Sequence, residues 1–403
     1  MILGGLKRNL VEDDRLWELV KRANHLTEGS YESWENNAPV LVPLMERILV
    51  RAREKEDWLV YFFDMSRLFW LIRRNGVNDL RRAFQLAELF HRDNALHLGE
   101  EAGKSAQEWR VQVTAQILGF YLEYPQIDDG KIQHMLDIFR EFHERYGSEW
   151  NNGDYQKIMC LAKLNRDKEL AEEAKRKLER GDYENWCYVC YYGLQMIGYY
   201  VLCEDPEGVE ELIARLCEQA IPVKYRWCFH LCESAKEGEL VYEALLDCLK
   251  IGRSRMFARF FAKWRHLYEA PETDGEKVTY RVLFHSLAGD WSDFEERLRL
   301  AEKDDQDRRE GKETPLDCLY WSLCWYCYFQ MLERRGTGTV WMKLGEDGSR
   351  EWTCLEAAAY FEEQADLLGA QMNQARRRFD YESVKRTHEE CFSGDYPVLG
   401  GKI

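Results

Sequence analysis

The stretch that decides the fold is NWCYVCYYGLQMIGYYVLCEDPEGVEELIARLCEQAIP, which runs from Asn185 to Pro222. Its first half is apolar on nearly every side, which predicts a helix buried between neighbours. Asp205 can then accept a backbone N–H as an N-cap, with Pro206 at the first helical position. The second half has one apolar stripe at helical spacing, formed by Val209, Leu212, Ile213, Leu216 and Ala220. The stretch therefore predicts a helical hairpin stacked between similar hairpins.

Bulk composition limits the class of protein. The chain has 403 residues, of which 45% are hydrophobic and 32% are charged, and this excludes a disordered protein. A formal net charge of −16 makes phosphate backbones and anionic membranes poor partners. We therefore expect neither a membrane nor a nucleic acid as the partner.

Cysteine usage and the N-terminal residues bear on the compartment. The thirteen cysteines are an odd number, and the opening MILGGLKRNL has no apolar run long enough for a secretory signal. The most apolar run, Leu316 to Leu332, is shorter than the roughly 20 residues that span a bilayer. We expect a cytoplasmic protein with reduced thiols.

Polar turns recur along the chain, and each precedes a helix whose apolar residues are spaced by four and then three. Gly289–Ala301, GDWSDFEERLRLA, is similar to the turn and second helix of a tetratricopeptide repeat. The same spacing is met by Leu68, Leu71, Asn75, Leu80, Phe84 and Ala87. The chain departs from that family at Leu80, Val209 and Phe294, where the family usually has a small residue. The resemblance covers residues 58–305 and concerns architecture.

This resemblance implies an all-α fold, a superhelical array of antiparallel helical hairpins (an α-solenoid). We expect one continuous solenoid with an N-terminal helical region at 1–57, the hairpin array at 58–311, and C-terminal helices at 312–403.

The C-terminal part has two helices and one β-hairpin in the sequence pattern. Residues 312–335 predict a very apolar helix, with Thr314 as N-cap and Pro315 next. Residues 339–353 alternate around a Gly-Glu-Asp-Gly turn, which predicts a β-hairpin. We expect a four-residue turn at 345–348, which places Trp341 opposite Trp352 on one face; a two-residue turn at Asp347-Gly348 would shift that register. A single long helix is predicted for residues 355–384.

Cysteine pairs are the strongest hint of a metal site. They are Cys187 with Cys190, Cys228 with Cys232, and Cys324 with Cys327. Thiolate pairs suit zinc, but zinc pairs usually lie in tight turns, whereas these pairs lie inside aromatic helices, where cysteine packs as a small apolar residue. We therefore assign them to the core and expect no metal and no cofactor.

Catalytic motifs are absent from the sequence. No GxSxG, GxxxxGK[ST], GxGxxG or HExxH pattern occurs, so we assign no catalytic residue. Asp304, Asp305 and Asp307 fall in a charged segment that we interpret as a solvated loop.

One basic segment with interleaved aromatics stands out, GRSRMFARFFAKWRHLY at residues 252–268. Arg255, Arg259 and Lys263 follow at helical spacing and form a cationic stripe. One interpretation is an amphipathic repeat helix whose charges pair with acidic neighbours. The other is a docking stripe for an acidic or phosphorylated protein segment; nucleic acid would need a larger basic surface.

The sequence favours a non-enzymatic scaffold or regulator that binds a peptide or protein in a concave groove. Tetratricopeptide proteins that grip carboxylate tails use Lys and Asn on first helices. The matching positions here include Phe62, Phe69 and Tyr280, so an apolar ligand segment is expected there. The alternative is an (α/α)-barrel enzyme acting on sugars, with aromatic stacking and a carboxylate pair.

Overall fold

A computed structural model of the chain describes residues 7–27, 31–74, 80–95, 103–146, 152–179, 192–218, 237–269, 279–346 and 348–393. In these ranges regular structure is almost entirely helical, and the only sheet is a two-stranded hairpin. The predicted all-α fold with a small β-hairpin insertion is confirmed. Two compact units are present, 1–121 with 130–149 and 122–129 with 150–403. The three ranges inferred from sequence stay predictions.

Unit 1 contains most of six helices, which are α1 Asp14–Leu26, α2 Tyr31–Glu54, α3 Trp58–Arg74, α4 Leu80–Ala95, α5 Lys104–Glu123 and α6 Asp129–Tyr146. Its core encloses one ion pair. Arg67 Nη1 lies 3.1 Å from Asp64 Oδ1, and the Arg67 guanidinium stacks over the rings of Trp34 and Phe63. Both charges are almost fully buried, so each depends on the other for compensation.

Unit 2 contains eleven helices within the described residues. They are α7 Asn152–Leu164, α8 Lys168–Leu178, α9 Leu194–Cys203, α10 Pro206–Glu218, α11 Glu237–Ile251, α12 Ser254–Trp264, α13 Thr279–Ala288, α14 Phe294–Arg309, α15 Pro315–Arg334, α16 Cys354–Ala375 and α17 Tyr381–Phe392. The hairpin strands are β1 Thr339–Met342 and β2 Arg350–Thr353. None of the helices described in the two units has the length and apolarity needed to cross a membrane.

Alternate helices of unit 2 pack on one another in two groups, α7 with α9 and α11, and α13 with α15 and α17. Helix α9 packs against α7 and α11, and α15 packs against α13 and α17. We call α7, α9, α11, α13 and α15 the first helices. The second helices, α8, α10, α12 and α14, connect them, and α8 and α10 each pack on two successive first helices. This arrangement brings side chains from three first helices onto one face.

Helix α17 departs from a purely nearest-neighbour array. It packs on α15 and α16 and also returns to α11 and α12. Its Phe392 ring lies 5.5 Å from the Phe257 ring and stacks on Phe284, and its His388 approaches the Tyr280 hydroxyl. In a one-dimensional solenoid each unit contacts only its neighbours. The packing of α17 on α11 and α12 therefore joins parts of unit 2 that are far apart in the sequence.

Capping residues set the helix boundaries as the sequence indicated. Asp205 Oδ1 accepts the Gly208 N–H at 2.9 Å, with Pro206 opening α10. Thr314 Oγ1 accepts the Asp317 N–H at 3.1 Å, and Pro315 opens α15. Each cap satisfies an N–H that has no partner inside the helix. The buried residues of α10 include the predicted Val209, Leu212, Ile213 and Leu216, whereas Ala220 lies outside the described residues.

Two local predictions were wrong. The single helix predicted for 355–384 is two helices, because Arg376 adopts an extended backbone and donates its buried guanidinium to the Tyr124 carbonyl, and Asp380 caps α17. In the hairpin, Trp352 lies opposite Val340 and Trp341 lies opposite Glu351. The two tryptophans thus point to opposite faces, which a one-residue register difference produces.

Candidate functional site

The predicted cationic stripe lies on α12 and is largely neutralised by α10. Arg259 Nε donates to Glu210 Oε1 at 2.8 Å, and its Nη1 donates to Glu207 Oε1 at 2.6 Å. Lys263 Nζ donates to Glu210 Oε2 at 2.6 Å. The hydrogen bond from Arg259 holds the pKa of Glu207 below its ordinary value. Arg255 is exposed, and no ion pair reaches it within the described chain.

The predicted groove aromatics lie in the core. Phe62, Phe69 and Tyr280 have exposed fractions of 2%, 0% and 3%. The Tyr280 hydroxyl donates to the Tyr320 carbonyl at 2.9 Å, and Phe69 packs edge-on against Phe120. A partner could touch these side chains only if the core opened. The spacing of the tetratricopeptide family predicted that these side chains line a groove, but both faces of the helices that carry them are buried.

Two of the six cysteines in the predicted pairs are described, and both are core residues. Cys324 and Cys327 are buried in α15, and burial raises the pKa of each thiol. The Cys324 Sγ–H donates to the Thr279 carbonyl at 3.3 Å. The other four, Cys187, Cys190, Cys228 and Cys232, fall outside the described residues. Within the described ranges no three His, Cys, Asp or Glu side chains are grouped as metal ligands would be.

The most unusual polar arrangement crosses three first helices. Lys163 Nζ of α7 lies 2.9 Å and 3.2 Å from the two carboxylate oxygens of Asp247 on α11. The side chain passes over Gly198 of α9, where an added Cβ would lie 2.6 Å from Lys163 Cδ and 2.8 Å from Asp247 Oδ2. Glycine is therefore needed for this close approach. The exposed side-chain fractions of Lys163 and Asp247 are 20% and 7%.

Further polar residues extend this surface along the same helices. Cys160 and Gln195 lie three residues before Lys163 and Gly198, and Glu243 lies four residues before Asp247. These spacings put them on the same faces, one turn earlier. We call the set the three-helix face; its members are Cys160, Lys163, Gln195, Gly198, Glu243, Asp247 and Lys250.

Some polar groups of the three-helix face have no hydrogen-bond partner among the residues that the structure describes. Glu243 makes no hydrogen bond or ion pair among the described residues. Burial, followed by the Asp247 charge, raises its pKa, and the Lys250 and Lys163 charges partly oppose that rise. Gln195 Oε1 is buried without a hydrogen-bond partner in this part of the chain. Lys250 Nζ lies 5.0 Å from the Tyr320 ring centroid, a cation–π contact. Such groups cost free energy unless something else satisfies them.

A carboxylate pair on α14 was interpreted wrongly from the sequence as a solvated loop. Asp304 and Asp305 are helical and buried, with exposed fractions of 7% and 1%. Burial raises the pKa of Asp304 to about 6, although Thr279 and Trp325 donate to its Oδ2. Hydrogen bonds led by Arg308 outweigh burial and lower the pKa of Asp305. Their cavity measures about 10 Å³, room for about one water molecule.

Comparison with known proteins does not identify a family. No protein-family model, curated protein or solved structure matches this chain. The candidate site therefore rests on the geometry of the chain itself. The signals that could have located it were a glycine inside the apolar helix LQMIGYYVLC and a lone aspartate in the apolar run VYEALLDCLKI.

Proposed function

We propose that the protein is a non-enzymatic helical scaffold that binds a segment of a partner protein along the three-helix face. The observation that carries the proposal is Glu243, a half-buried carboxylate with a raised pKa and no partner among the described residues. It lies on the same face as the unpaired Gln195 oxygen and the buried Lys163–Asp247 pair.

The physical argument concerns cost. A buried polar atom that is left unpaired destabilises the fold by about 1–3 kcal/mol. Perturbed titratable groups of this kind are concentrated at functional sites. A peptide segment brings backbone N–H groups and basic side chains, which are the donors that Glu243 and Gln195 Oε1 need. Its binding would therefore remove the cost that the isolated fold carries.

The ligand expected at this face differs from the one suggested by the cationic stripe. Arg259 and Lys263 are already paired with α10 carboxylates, so they have little positive potential left for an acidic segment. The unpaired acceptors at Glu243 and Gln195 suit a segment rich in hydrogen-bond donors. The sugar-processing alternative has less support, because the cavity beside Asp304 and Asp305 is far smaller than a sugar ring.

A photoreactive amino acid tests the location. It would replace Leu246, a half-buried residue one turn from Glu243, and in a control it would replace the exposed Glu295 on α14. We expect irradiation in cells that produce the protein to yield a discrete adduct from position 246 and none from position 295. Adding Glu243→Ala should reduce that adduct. Equal adducts from both positions, or none from position 246, would contradict the proposal.

A further inference from the structure

Two arginines from different turns meet at one end of the first helices. Arg166 follows α7, and Arg253 lies between α11 and α12. The Arg166 guanidinium lies against Gly252, because a Cβ added there would be 2.8 Å from Arg166 Nη2 and 2.8 Å from Ser383 Oγ. Gly252 also has a φ of +82°, which other residues rarely adopt. The turn between α11 and α12 is thus packed closely against the Arg166 guanidinium.

Each arginine is only partly paired. Arg166 Nη1 donates to Asp380 Oδ2 at 3.1 Å. Arg253 Nη2 donates to the Leu202 carbonyl at 3.3 Å and lies 3.2 Å from Glu204 Oε1. One other nitrogen of each guanidinium, Arg166 Nη2 and Arg253 Nε, is buried and has no hydrogen-bond partner in the described residues. Burial lowers the pKa of Arg166, and the nearby Arg253 charge lowers it further.

Two further features lie close to these arginines. Arg253 is the N-cap of α12, and its side chain makes no capping hydrogen bond to that helix's first turn. The Ser383 hydroxyl adjoins the Arg166 guanidinium. The nearby carboxylates, Asp380 and Glu204, each bind a different nitrogen from the two that remain. Two guanidinium N–H groups from neighbouring turns are therefore left without an acceptor among the described residues.

We propose that Arg166 and Arg253 form a binding site for a phosphate group. Guanidinium groups present paired N–H donors whose geometry matches phosphate oxygens, and uncapped helix N-termini bind such anions as well. Arg259 on α12 differs from these two arginines, because its Nε and Nη1 already donate to two glutamates. This inference does not depend on the proposed partner of the three-helix face.

Isothermal titration of the full chain with inorganic phosphate tests the site, at low salt and then with added chloride. We expect saturable binding that Arg166→Met and Arg253→Met each weaken at least about tenfold, the worth of one charge-assisted hydrogen bond. Arg166→Lys keeps the charge but loses the fork, and should also weaken binding. The matched control is Arg259→Met, which should leave the affinity unchanged. Circular dichroism establishes that each variant is folded.

A second arm distinguishes the source of the phosphate. If a phosphoserine peptide competes with inorganic phosphate and its unphosphorylated form does not, the site takes a phosphorylated segment. If only inorganic phosphate binds and the arginine variants still lose it, the site takes the free ion. Absence of saturable binding, or an equal loss in Arg259→Met, would overturn the inference.

Discussion

The α10–α12 ion pairs and the three-helix face are built from similar residues in opposite settings. On α12 the exposed side-chain fractions of Arg259 and Lys263 are 41% and 46%, and both are paired with glutamates. On the three-helix face Lys163 is 20% exposed and Asp247 is 7% exposed, while the neighbouring Glu243 has no partner among the described residues. In the first region the charges of Arg259 and Lys263 are hydrated and hydrogen-bonded to glutamates, and in the second the charges are withdrawn from water and one carboxylate has no hydrogen bond among the described residues.

This difference shows which charges matter to the protein. Exposed pairs contribute about 0–1 kcal/mol each, because water competes for both partners. Breaking a buried pair by removing one partner costs about 3–5 kcal/mol. The stripe that stands out in the sequence is therefore expected to be nearly neutral for stability, and the inconspicuous Lys163–Asp247 pair is expected to be essential.

The largest effect is predicted for Lys163→Met. The change leaves the Asp247 carboxylate buried without its cation, and the free energy of unfolding should fall by about 3–5 kcal/mol. Lys263→Met, the matched change on the exposed stripe, should cost about 1 kcal/mol or less. Urea unfolding followed by circular dichroism measures both. Equal losses in the two variants would remove the distinction between the regions, and Lys163→Met with Asp247→Leu should recover most of the loss.

A pH effect of up to about 3 kcal/mol is predicted at Asp304. Its pKa is raised from 3.8 to about 6, so between these values the folded state binds more protons than the unfolded state. The contribution of Asp304 to stability therefore falls as pH rises from about 4 to 6, at roughly 1.4 kcal/mol per pKa unit.

Asp304→Asn tests this pH effect. The amide oxygen of asparagine can still accept from Thr279 and Trp325, so the hydrogen bonds are retained. Denaturant unfolding at pH 4 and pH 7 should show the variant gaining stability relative to the parent as pH rises. A stability difference that stays constant with pH would contradict the assignment.

A smaller effect is predicted for Gly198→Ala. The new methyl group would displace the Lys163 side chain, at a cost of about 1–3 kcal/mol. In a Lys163→Ala background the contacts with Lys163 are removed and Asp247 is released from its ion pair, so the second change should cost less. This double-mutant cycle is measured by urea unfolding, and additive losses would show that Gly198 does not act through Lys163.

The smallest effect is predicted for reversing the stripe. Arg259→Glu with Lys263→Glu replaces three ion pairs by like charges beside Glu207 and Glu210, so stability should fall by only about 1–2 kcal/mol. High salt should restore part of that loss, because it screens exposed charges. Thermal melts at low and high salt would measure it, and complete unfolding would show that the pairs have a structural role.

Features with local causes could be predicted from the sequence. The caps at Asp205 and Thr314, the stripe of α10 and the hairpin at 339–353 each depend on residues close in the chain. The break between α16 and α17 could not be predicted, because Arg376 bonds a carbonyl 252 residues away. The three-helix face could not be predicted for the same reason, since Lys163 and Asp247 are 84 residues apart in the chain. Periodicity cannot report pairing over such separations.

The central claim is that the three-helix face, and not the cationic stripe of α12, binds the partner. After the photoreactive residue at position 246 has captured a partner, the dissociation constant of that partner is measured for the parent chain and for each variant. We predict that Glu243→Ala weakens binding at least about tenfold, as expected for loss of a charge-assisted hydrogen bond. Reversal of Arg259 and Lys263 should change the constant by less than about threefold. The opposite ranking in folded variants would contradict the account.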